Sequence, residues 1–325
     1  MKLSHFWRGL VATVLSLSVL SAQADVKDNT LRVGYQKSGG NFLFLKGQGL
    51  LEKRLNPLGF KVEWVEFPAG PQMLEGLNVG SIDVATVGET PPIFAQAAGA
   101  QLLYIGHENA TPAAEAILVP EQSPIKSVAD LKGKKIALNK GSNVHYLLVK
   151  ALEEANLSIR DIQPVYLKPS DARAAFQRGS VDAWVIWDPY LAAAQHDDKA
   201  RVLRDGTGLV SNYQFYLASE PFAKRYPEVL NVVLEELDTV NQWAKHNLDT
   251  AVAELTPLVG LPDTVVRTAL GRYNFGINRI SDQVLDEQQR IADAFYNLKL
   301  IPKNIQVQGT GWTPASSPAH ALSQK

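Results

Sequence analysis

The chain has 325 residues, of which 46% are hydrophobic, and a formal net charge of −1 at pH 7. This length and apolar content can bury more than one core, so we expect two lobes. Acidic and basic residues are mixed along the chain, which gives no basic surface for nucleic acid and no acidic tail. Cysteine is absent, which excludes disulfides, thiolate zinc sites and cysteine nucleophiles, and the six histidines show no metal-ligand spacing.

The first 24 residues have the pattern of a secretory signal peptide. Lys2 and Arg8 form a basic region, residues 9–20 are apolar or small, and the AQA sequence at 22–24 fits the small-x-small rule for signal peptidase. The apolar stretch is shorter than the roughly 20 residues that a membrane-spanning helix needs. We therefore prefer a cleaved signal to a membrane anchor, and we expect an exported protein.

The next part of the chain alternates short apolar runs with helix-like segments, which is the pattern of an α/β lobe around a parallel sheet. The apolar runs predict strands at residues 31–35, 62–67, 82–87 and 102–106. The segments between them predict helices at 42–54, 72–79 and 93–98. We assign residues 25–113 and 219–308 to this first lobe.

The same alternation continues in a predicted second lobe at residues 114–218. Its strands are predicted at 135–138, 161–167, 181–187 and 201–203, and its helices at 127–131, 144–156 and 171–178. We place the two crossings between the lobes in the extended segments 114–119 and 213–218. Further helices are predicted at 227–247, 248–259, 262–272 and 282–298. They have no strand partners, so we expect them to pack on the first lobe. Residues 309–325 are rich in Gly, Ser, Pro and Ala, and we expect a poorly ordered tail there.

One segment of the sequence occurs twice, about a hundred residues apart. The two copies read GSIDVATVGE at 80–89 and GSVDAWVIWD at 179–188. A second pair of similar segments lies upstream of these copies, in the same order and at nearly the same spacing, at 31–39 and 134–142. Chance explains either pair alone but not both, so we predict two lobes with one shared plan. Asp83 and Asp182 in the copies are expected to fix the turn after Gly-Ser.

Ligands of open parallel sheets bind beyond the carboxyl ends of the strands, and each predicted lobe places two loops there. These loops are residues 36–40 and 88–90 in the first lobe and 139–143 and 187–190 in the second. The Lys140-Gly141-Ser142-Asn143 turn lies between a strand and a helix, so it offers a glycine, a hydroxyl and unpaired helix N–H groups to an anion. An ordinary capped connection explains one such turn, but the turn at 36–40 repeats it in the other lobe.

Glu89 and Asp188 follow equivalent strands, which suggests a catalytic carboxylate pair. No nucleophile or general base accompanies them, so we prefer that each carboxylate caps the next helix or anchors a loop. A carboxylate near an anionic ligand needs a cation, and the candidates are Lys37, Lys140 and Arg173.

Three aromatic residues and one histidine lie at the same predicted edge. Trp187, Phe215 and Tyr216 suit either an apolar pocket wall or core packing. His145, on the helix after the Ser142 turn, either donates to a ligand or is a satisfied surface residue, and the second is the commoner outcome.

These segments together resemble the periplasmic aliphatic-sulfonate-binding proteins of ABC importers. The resemblance is carried by WVEFPAGPQMLE at 64–75, NVGSID at 78–83, PPIFAQAAGA at 91–100, DARAAFQ at 171–177 and AWVIWDPY at 183–190, with GYQK at 34–37 and KGS at 140–142. It covers residues 30–220 strongly and the helical C-terminal part weakly. The sequence departs from the family at Gly88-Glu89-Thr90, at Asn143 and at residues 211–214.

The resemblance implies an α/β, two-lobe type II periplasmic binding protein that closes on an alkanesulfonate and delivers it to an ABC permease and ATPase. It also implies a monomeric binder in the periplasm, without catalysis, metal or other cofactor. The sulfonate group is expected to contact Gln36, Ser38, Gly39, Thr90, Gly141 and Ser142. The organic tail is expected to contact Phe42, Trp187 and Phe215. The remaining predicted ligand-binding residues are Lys37, Gly88, Glu89, Asn143, His145, Asp188 and Tyr216.

Three alternatives stay open at this point. The ligand is taurine, a sulfate ester or a neutral heterocycle, and an unpaired Glu89 in the pocket would favour a ligand with an amine. The chain is an enzyme on the same fold, against which the absence of cysteine, of a paired histidine set and of an acid–base dyad argues. The chain is a sensor or adhesion protein.

Overall fold

The computed structural model describes residues 29–36 and 40–313. The predicted signal peptide at 1–24 and the predicted ligand contacts Lys37, Ser38 and Gly39 lie outside these residues. The described part contains two β-sheets with helices packed against them, which confirms the predicted two-lobe α/β architecture.

The strands of the two sheets are β1 (Thr30–Gln36), β2 (Lys61–Phe67), β3 (Val84–Gly88), β4 (Leu102–Glu108), β5 (Glu115–Pro120), β6 (Lys135–Leu138), β7 (Gln163–Tyr166), β8 (Ala183–Trp187), β9 (Ala200–Asp205), β10 (Gln214–Ser219) and β11 (Ile277–Asn278). The first sheet has the strand order β11-β4-β10-β3-β1-β2. The second sheet has the order β7-β6-β8-β5-β9. We call each sheet with its packed helices a lobe.

Both sheets follow one plan, as the repeated segments predict. β1 pairs in parallel with β2 and β3, and β6 pairs in parallel with β7 and β8. β5 and β10, which coincide with the two predicted crossings, add antiparallel to β8 and to β3. Each crossing strand thus enters the sheet of the lobe that it reaches.

The helices are α1 (Asn41–Gln48), α2 (Leu50–Leu55), α3 (Gly70–Asn78), α4 (Pro91–Ala97), α5 (Asn143–Glu154), α6 (Pro169–Gln177), α7 (Tyr190–Asp197), α8 (Glu220–Arg225), α9 (Pro227–His246), α10 (Leu248–Val259), α11 (Asp263–Leu270) and α12 (Asp282–Asn297). None of these helices is long and apolar enough to span a bilayer. The single helix predicted at 42–54 is divided in two because Gly49 has a φ of 61°, in the left-handed region that ends a helix.

The repeated aspartates tie neighbouring strands together at the amino-terminal edge of each sheet. Asp83 accepts a hydrogen bond from the Arg32 backbone N–H at 2.8 Å, and the Asp83 N–H donates to the Arg32 carbonyl at 2.8 Å. Asp182 makes the same two bonds with Lys135, each at 2.8 Å. The aspartates are structural, as predicted, but they hold the adjacent strand rather than the Gly-Ser turn.

The core of the first lobe lies on both faces of its sheet. One face is covered by α1, α2, α9 and α10, and the other by α3, α4 and α12. Along β10 the side chains alternate between the two faces, with Tyr216 on the first and Phe215 on the second. Burial on both faces explains why these strands read as continuous apolar runs.

The helical C-terminal region packs on the first lobe, as predicted, with one addition. Val265 and Ala269 of α11 also contact Ala192 and Ala193 of α7, which belongs to the second lobe. The residues directly after 308 differ from the predicted loose tail. The N–H of Trp312 donates to the Tyr104 carbonyl at 2.8 Å, and its side chain joins the core with 9% of its surface exposed. The rest of the predicted tail, from 314, lies outside the described residues.

Candidate functional site

The carboxyl ends of β1, β3 and β8 meet at a cavity of about 80 Å³ between the two sheets. Parallel strands place their following loops at this edge, which is where the sequence predicts the ligand. Six of the predicted residues line the cavity: Gln36, Gly88, Ser142, Asn143, Trp187 and Asp188. We refer to this cavity as the cleft.

Three helices direct their N-termini at the cleft. Gly40 precedes α1, Gly70 begins α3 and Asn143 begins α5, and all three residues line the cavity. The first N–H groups of a helix have no acceptor within it, and they carry the positive end of the helix dipole. Three such ends around one cavity form an anion-binding arrangement. The contribution of α3 is not predicted from the sequence.

The fourth nearby helix, α4, contributes no such donors. Its first two residues are Pro91 and Pro92, which have no N–H groups. The Thr90 N–H, which the sequence predicts as a ligand donor, is used within the protein, and Thr90 is not part of the cavity wall. The Pro-Pro pair is a signal that could have been read directly from the sequence.

Asn143 joins the two lobes through its side chain. Its Oδ1 accepts from the Thr90 N–H at 3.2 Å, and its Nδ2 donates to Asn212 Oδ1 at 2.6 Å. Asn212 in turn donates to the Thr111 carbonyl at 2.9 Å. The Asn143 side chain occupies the space beside Gly88, where an added Cβ would lie 2.1 Å from Oδ1. The lobes are therefore held close together at this point.

The turn before α5 uses two predicted ligand donors internally. The Gly141 N–H donates to His145 Nδ1 at 3.2 Å, and the Ser142 hydroxyl donates to the Asn139 carbonyl at 2.7 Å. Gly141 lies outside the cleft wall, in a neighbouring groove. His145 is fully buried against two phenylalanine rings, and burial lowers its pKa to about 4. It is neither the predicted ligand donor nor a surface residue, but a neutral acceptor that shapes the turn.

Asp188 lines the cleft with its charge compensated. Arg272 Nη1 lies 2.9 Å from each of the two carboxylate oxygens, and the Ala192 N–H in the first turn of α7 donates to Oδ1 at 3.0 Å. Burial raises the pKa of Asp188, and Arg272 opposes that rise. The predicted helix-capping role is confirmed, and the cation that pairs with Asp188 is Arg272, which the sequence does not predict. Of the three predicted cations, Arg173 pairs with two aspartates at the end of α7, Lys140 lies over the Tyr166 ring, and Lys37 is outside the described residues.

Glu89 lies behind the cleft wall. Its Oε2 accepts from the Tyr213 N–H at 3.1 Å, so the carboxylate anchors the return crossing, which is the role that we prefer from the sequence. Burial raises the pKa of Glu89 to about 7. Glu115, at the other crossing, is also buried, and neither of its carboxylate oxygens has a hydrogen-bond partner among the described residues. Glu89 is therefore a residue of the connection between the lobes and not a ligand contact.

The predicted aromatic contacts divide between the cleft and the core. Trp187 lines the cavity. Phe42, Phe215 and Tyr216 are fully or almost fully buried in the core of the first lobe, so core packing is the correct interpretation for Phe215 and Tyr216, and Phe42 is not a tail contact. Tyr273, in the loop after α11, supplies the second aromatic side chain of the wall.

Several lining residues are not predicted from the sequence. Those with polar or aromatic side chains are Glu108, Thr111, Asn212, Gln214 and Tyr273. Four of the five lie near the start of a crossing strand. Glu108 ends β4 and Thr111 lies between β4 and β5, while Asn212 precedes β10 and Gln214 is its first residue. A chain that passes between two lobes must pass beside the cleft, so polar residues next to a predicted crossing are a usable signal. Tyr273 gives no comparable signal, because the loop after α11 is brought to the cleft by tertiary packing.

The chain has extensive similarity to known proteins. Residues 31–256 match the family described as the substrate-binding domain of ABC-type glycine betaine transport systems. A relative from Escherichia coli (strain K12), named for binding aliphatic sulfonates, is 47% identical over 305 residues, which cover 94% of this chain and 95% of the relative.

Two solved structures have the same overall architecture. The alkanesulfonate-binding protein from Xanthomonas axonopodis pv. citri, bound to MOPS, has a TM-score of 0.83 and 44% identity, covering 87% of this chain and 98% of that one. The periplasmic aliphatic sulphonate binding protein from Escherichia coli has a TM-score of 0.80 and 48% identity, covering 87% of this chain and 97% of that one.

Proposed function

Because this chain belongs to the aliphatic sulfonate-binding proteins, within the substrate-binding proteins of ABC importers, we propose that its cleft captures alkanesulfonates and delivers them to an ABC permease. The observation that carries the proposal is the convergence of the α1, α3 and α5 N-termini on one cavity. The chain is a binding protein and not an enzyme, as its relatives are binding proteins.

A sulfonate suits this arrangement because it is an anion at physiological pH with three acceptor oxygens. Three helix N-termini supply N–H donors from three directions and partial positive charge without a buried cation. Asn143 and Gln36 add side-chain amides in the cavity wall. We place the sulfonate group against Gly40, Gly70 and Asn143, which differs from the donor set that the sequence predicts.

The organic tail of the ligand packs against the aromatic part of the wall in this proposal. Trp187 and Tyr273 line the cavity together with Ala114. Sulfate has the same oxygens but no tail, so it leaves this part of the cleft without apolar contact. Selectivity for sulfonates over sulfate follows from the apolar surface that only a tailed ligand buries.

Release of the ligand requires the lobes to separate. Two interactions hold the lobes together at the cleft, Asn143 with Thr90 and Asp188 with Arg272. Both involve side chains of the second lobe that reach the first lobe or the helices packed on it. Opening breaks both interactions and exposes the cavity to the permease, while β5 and β10 serve as the hinge.

The setting of the protein follows from the same proposal. Residues 1–24 direct export and are removed, and the mature protein works in the periplasm as a monomer. Its partners are the permease and the ATPase of an ABC importer in the inner membrane. The support is the signal-like sequence of residues 1–24 and the periplasmic relative from Escherichia coli.

Isothermal calorimetry with the mature protein tests the proposal. We expect binding of ethane-, butane- and octanesulfonate with Kd values of about 1 μM or tighter, and much weaker binding of sulfate. Trp187→Ala should weaken octanesulfonate binding by about tenfold or more while changing sulfate binding little. A thermal-shift series with the same ligands provides an independent readout, because a ligand of the folded state raises the melting temperature. Absence of heat with all three sulfonates would contradict the proposal.

A further inference from the structure

A second cavity, of about 380 Å³, lies beside Glu89, behind the wall of the cleft. Both lobes contribute to it, because α12 of the first lobe and α5 of the second each supply lining side chains. The segment that leads into β10 also lines it. We call this cavity the rear groove. Its described lining residues are Glu89, Tyr146, residues 208–211, Glu287, Arg290 and Ile291.

Glu89 is not a contact of the cleft, but it brings a buried carboxylate to the rear groove. The residue is 1% exposed, and its Oε2 accepts from the Tyr213 N–H at 3.1 Å. Gln288 on α12 holds the backbone of Glu89, because its Nε2 donates to the Glu89 carbonyl at 2.8 Å. Oε1 is also buried and has no hydrogen-bond partner among the described residues. A buried acceptor without a donor is costly, so a donor beside this oxygen would stabilise the site.

The charges at the rear groove favour a positively charged ligand. The negative charge of Glu287 acts on Glu89, which makes a cation there more favourable. Arg290 is the one Lys or Arg among the described lining residues. Its side chain is 66% exposed and lies 4.0 Å from Glu287 Oε1, while Glu287 Oε2 accepts from the Ser211 hydroxyl at 2.8 Å. The outer carboxylate, Glu287, therefore has partners within the described part of the chain, and the inner one, Glu89, has no cation beside it.

The rest of the wall indicates which kind of cation fits. Leu209, Val210 and Ile291 give the groove an apolar side. The described residues contain no group of three or more His, Cys, Asp or Glu side chains that could hold a metal ion, and calcium needs six to eight oxygen ligands. An ammonium group has three N–H donors, and a short alkyl chain matches the apolar side. We propose that the rear groove is an accessory site for small aliphatic primary ammonium ions, with the ammonium group at Glu89 Oε1. This inference does not depend on what the cleft binds.

Amine binding at this site is coupled to pH. Burial raises the pKa of Glu89 to about 7, and the Tyr213 and Asn212 N–H groups oppose the rise. An ammonium ion binds the ionised carboxylate and displaces its proton, so the affinity rises as the pH increases through 7. Burial also raises the pKa of the other acidic groups near Glu89 and lowers that of His107, which contacts Tyr213. These acidic groups are Glu115, Tyr146 and Tyr213.

Calorimetry with n-butylammonium as the probe tests the inference on the mature protein, in phosphate buffer without other amines. At about pH 8 we expect a Kd of about 1 mM or tighter. Butan-1-ol has the same chain without the charge and should bind about tenfold more weakly or less. At about pH 6 the affinity for butylammonium should fall about tenfold, because Glu89 is then mostly protonated while the amine stays charged.

Glu89→Gln keeps the shape of the side chain and removes its charge. At about pH 8 it should weaken butylammonium binding by about tenfold or more and abolish the pH dependence. Glu121→Gln, which changes an exposed carboxylate directly after β5, is the charge-matched control and should leave both unchanged. Unfolding curves of both variants verify that they fold.

The wild-type titrations decide the matter even if Glu89→Gln does not fold. Equal binding of butan-1-ol and butylammonium, or an affinity for butylammonium that does not change with pH, would overturn the site. Displacement of butylammonium by an equal concentration of K⁺ would overturn the assignment to amines. Unchanged affinity in a folded Glu89→Gln would overturn the role of Glu89. Titration of the wild type with ethanesulfonate tests the proposed function separately, so a failure of one leaves the other standing.

Discussion

Arg272, in the loop after α11, places its Nη1 2.9 Å from both carboxylate oxygens of Asp188 in the second lobe. The Asp188 side chain is 1% exposed, so water cannot replace this cation. We predict that Arg272→Met lowers the free energy of unfolding by about 3 to 5 kcal/mol, because it leaves a buried carboxylate unpaired. Urea unfolding near neutral pH measures the change.

Two further variants show whether the unpaired charge is the cause. The double variant Arg272→Met with Asp188→Asn removes the charge and should recover at least half of the lost stability. Arg267→Met breaks an exposed pair with Asp249 and should cost less than about 1 kcal/mol. A loss of the same size for Arg267→Met and Arg272→Met would contradict our assignment of a buried pair.

Gly88→Ala tests the contact between the lobes. An added Cβ at Gly88 would lie 2.1 Å from Asn143 Oδ1, so the lobes cannot close to the observed distance. We predict about a tenfold or greater loss of sulfonate affinity with little change in the free energy of unfolding. Small-angle scattering should detect contraction on ligand addition in the wild type but not in the variant. Gly47→Ala, whose Cβ would meet only Leu258 at 3.6 Å, is the control. Unchanged affinity of Gly88→Ala would mean that closure does not use this contact.

The buried carboxyl of Glu89 predicts an unusual pH dependence of stability. Burial raises its pKa from 4.5 to about 7, so the folded protein keeps a proton that the unfolded chain loses. The stabilisation by this proton is complete below about pH 4.5 and is lost as the pH rises through 7. Relative to the wild type, Glu89→Gln should therefore gain on the order of 2 kcal/mol between pH 5 and pH 8. Unfolding curves at several pH values measure this, with Glu121→Gln as the control. Parallel stability profiles of Glu89→Gln and the wild type would rule out the raised pKa.

Shortening the chain at two positions tests the packing of Trp312. A chain that ends after residue 313 keeps Trp312 and should unfold like the full-length protein. A chain that ends after residue 308 loses this side chain and its backbone bond to Tyr104, and should be less stable by about 3 to 5 kcal/mol. Trp312→Ala alone should account for most of the loss. If the two shortened chains are equally stable, Trp312 does not belong to the core.

The fold is readable from the sequence because its signals are local. Buried parallel strands give continuous apolar runs, and the repeated segments predict that the two sheets share one plan. The helix boundaries of α10 and α12 agree with the predicted 248–259 and 282–298 to within one residue. The division of α1 from α2 depends on a left-handed glycine, and glycine alone in a helical pattern does not reveal its φ.

The sequence predicts the hydrogen-bond donors of the site only in part, because a donor near the cleft can instead bond to a residue that is distant in the sequence. The Thr90 N–H is a reasonable ligand donor from the sequence, but in the structure it donates to Asn143 Oδ1. The sequence does not show that Arg272 pairs with Asp188 rather than a cation closer in the chain, because this pairing depends on how α11 packs against α7. The position of Glu108 in the wall has the same origin, since its strand extends two residues beyond the predicted end at 106.

The bonds of Asp83 with Arg32 and of Asp182 with Lys135 lie at the edge of each sheet that is opposite the ligand loops. Hydrogen bonds therefore hold the strands together at one end of each sheet, while the loops that line the ligand cleft extend from the other end. Residues such as Glu108 or Trp187 can change without loosening these bonds. A few substitutions in the residues that line the cleft can therefore change which ligand is bound, while the hydrogen bonds that hold the strands together stay the same.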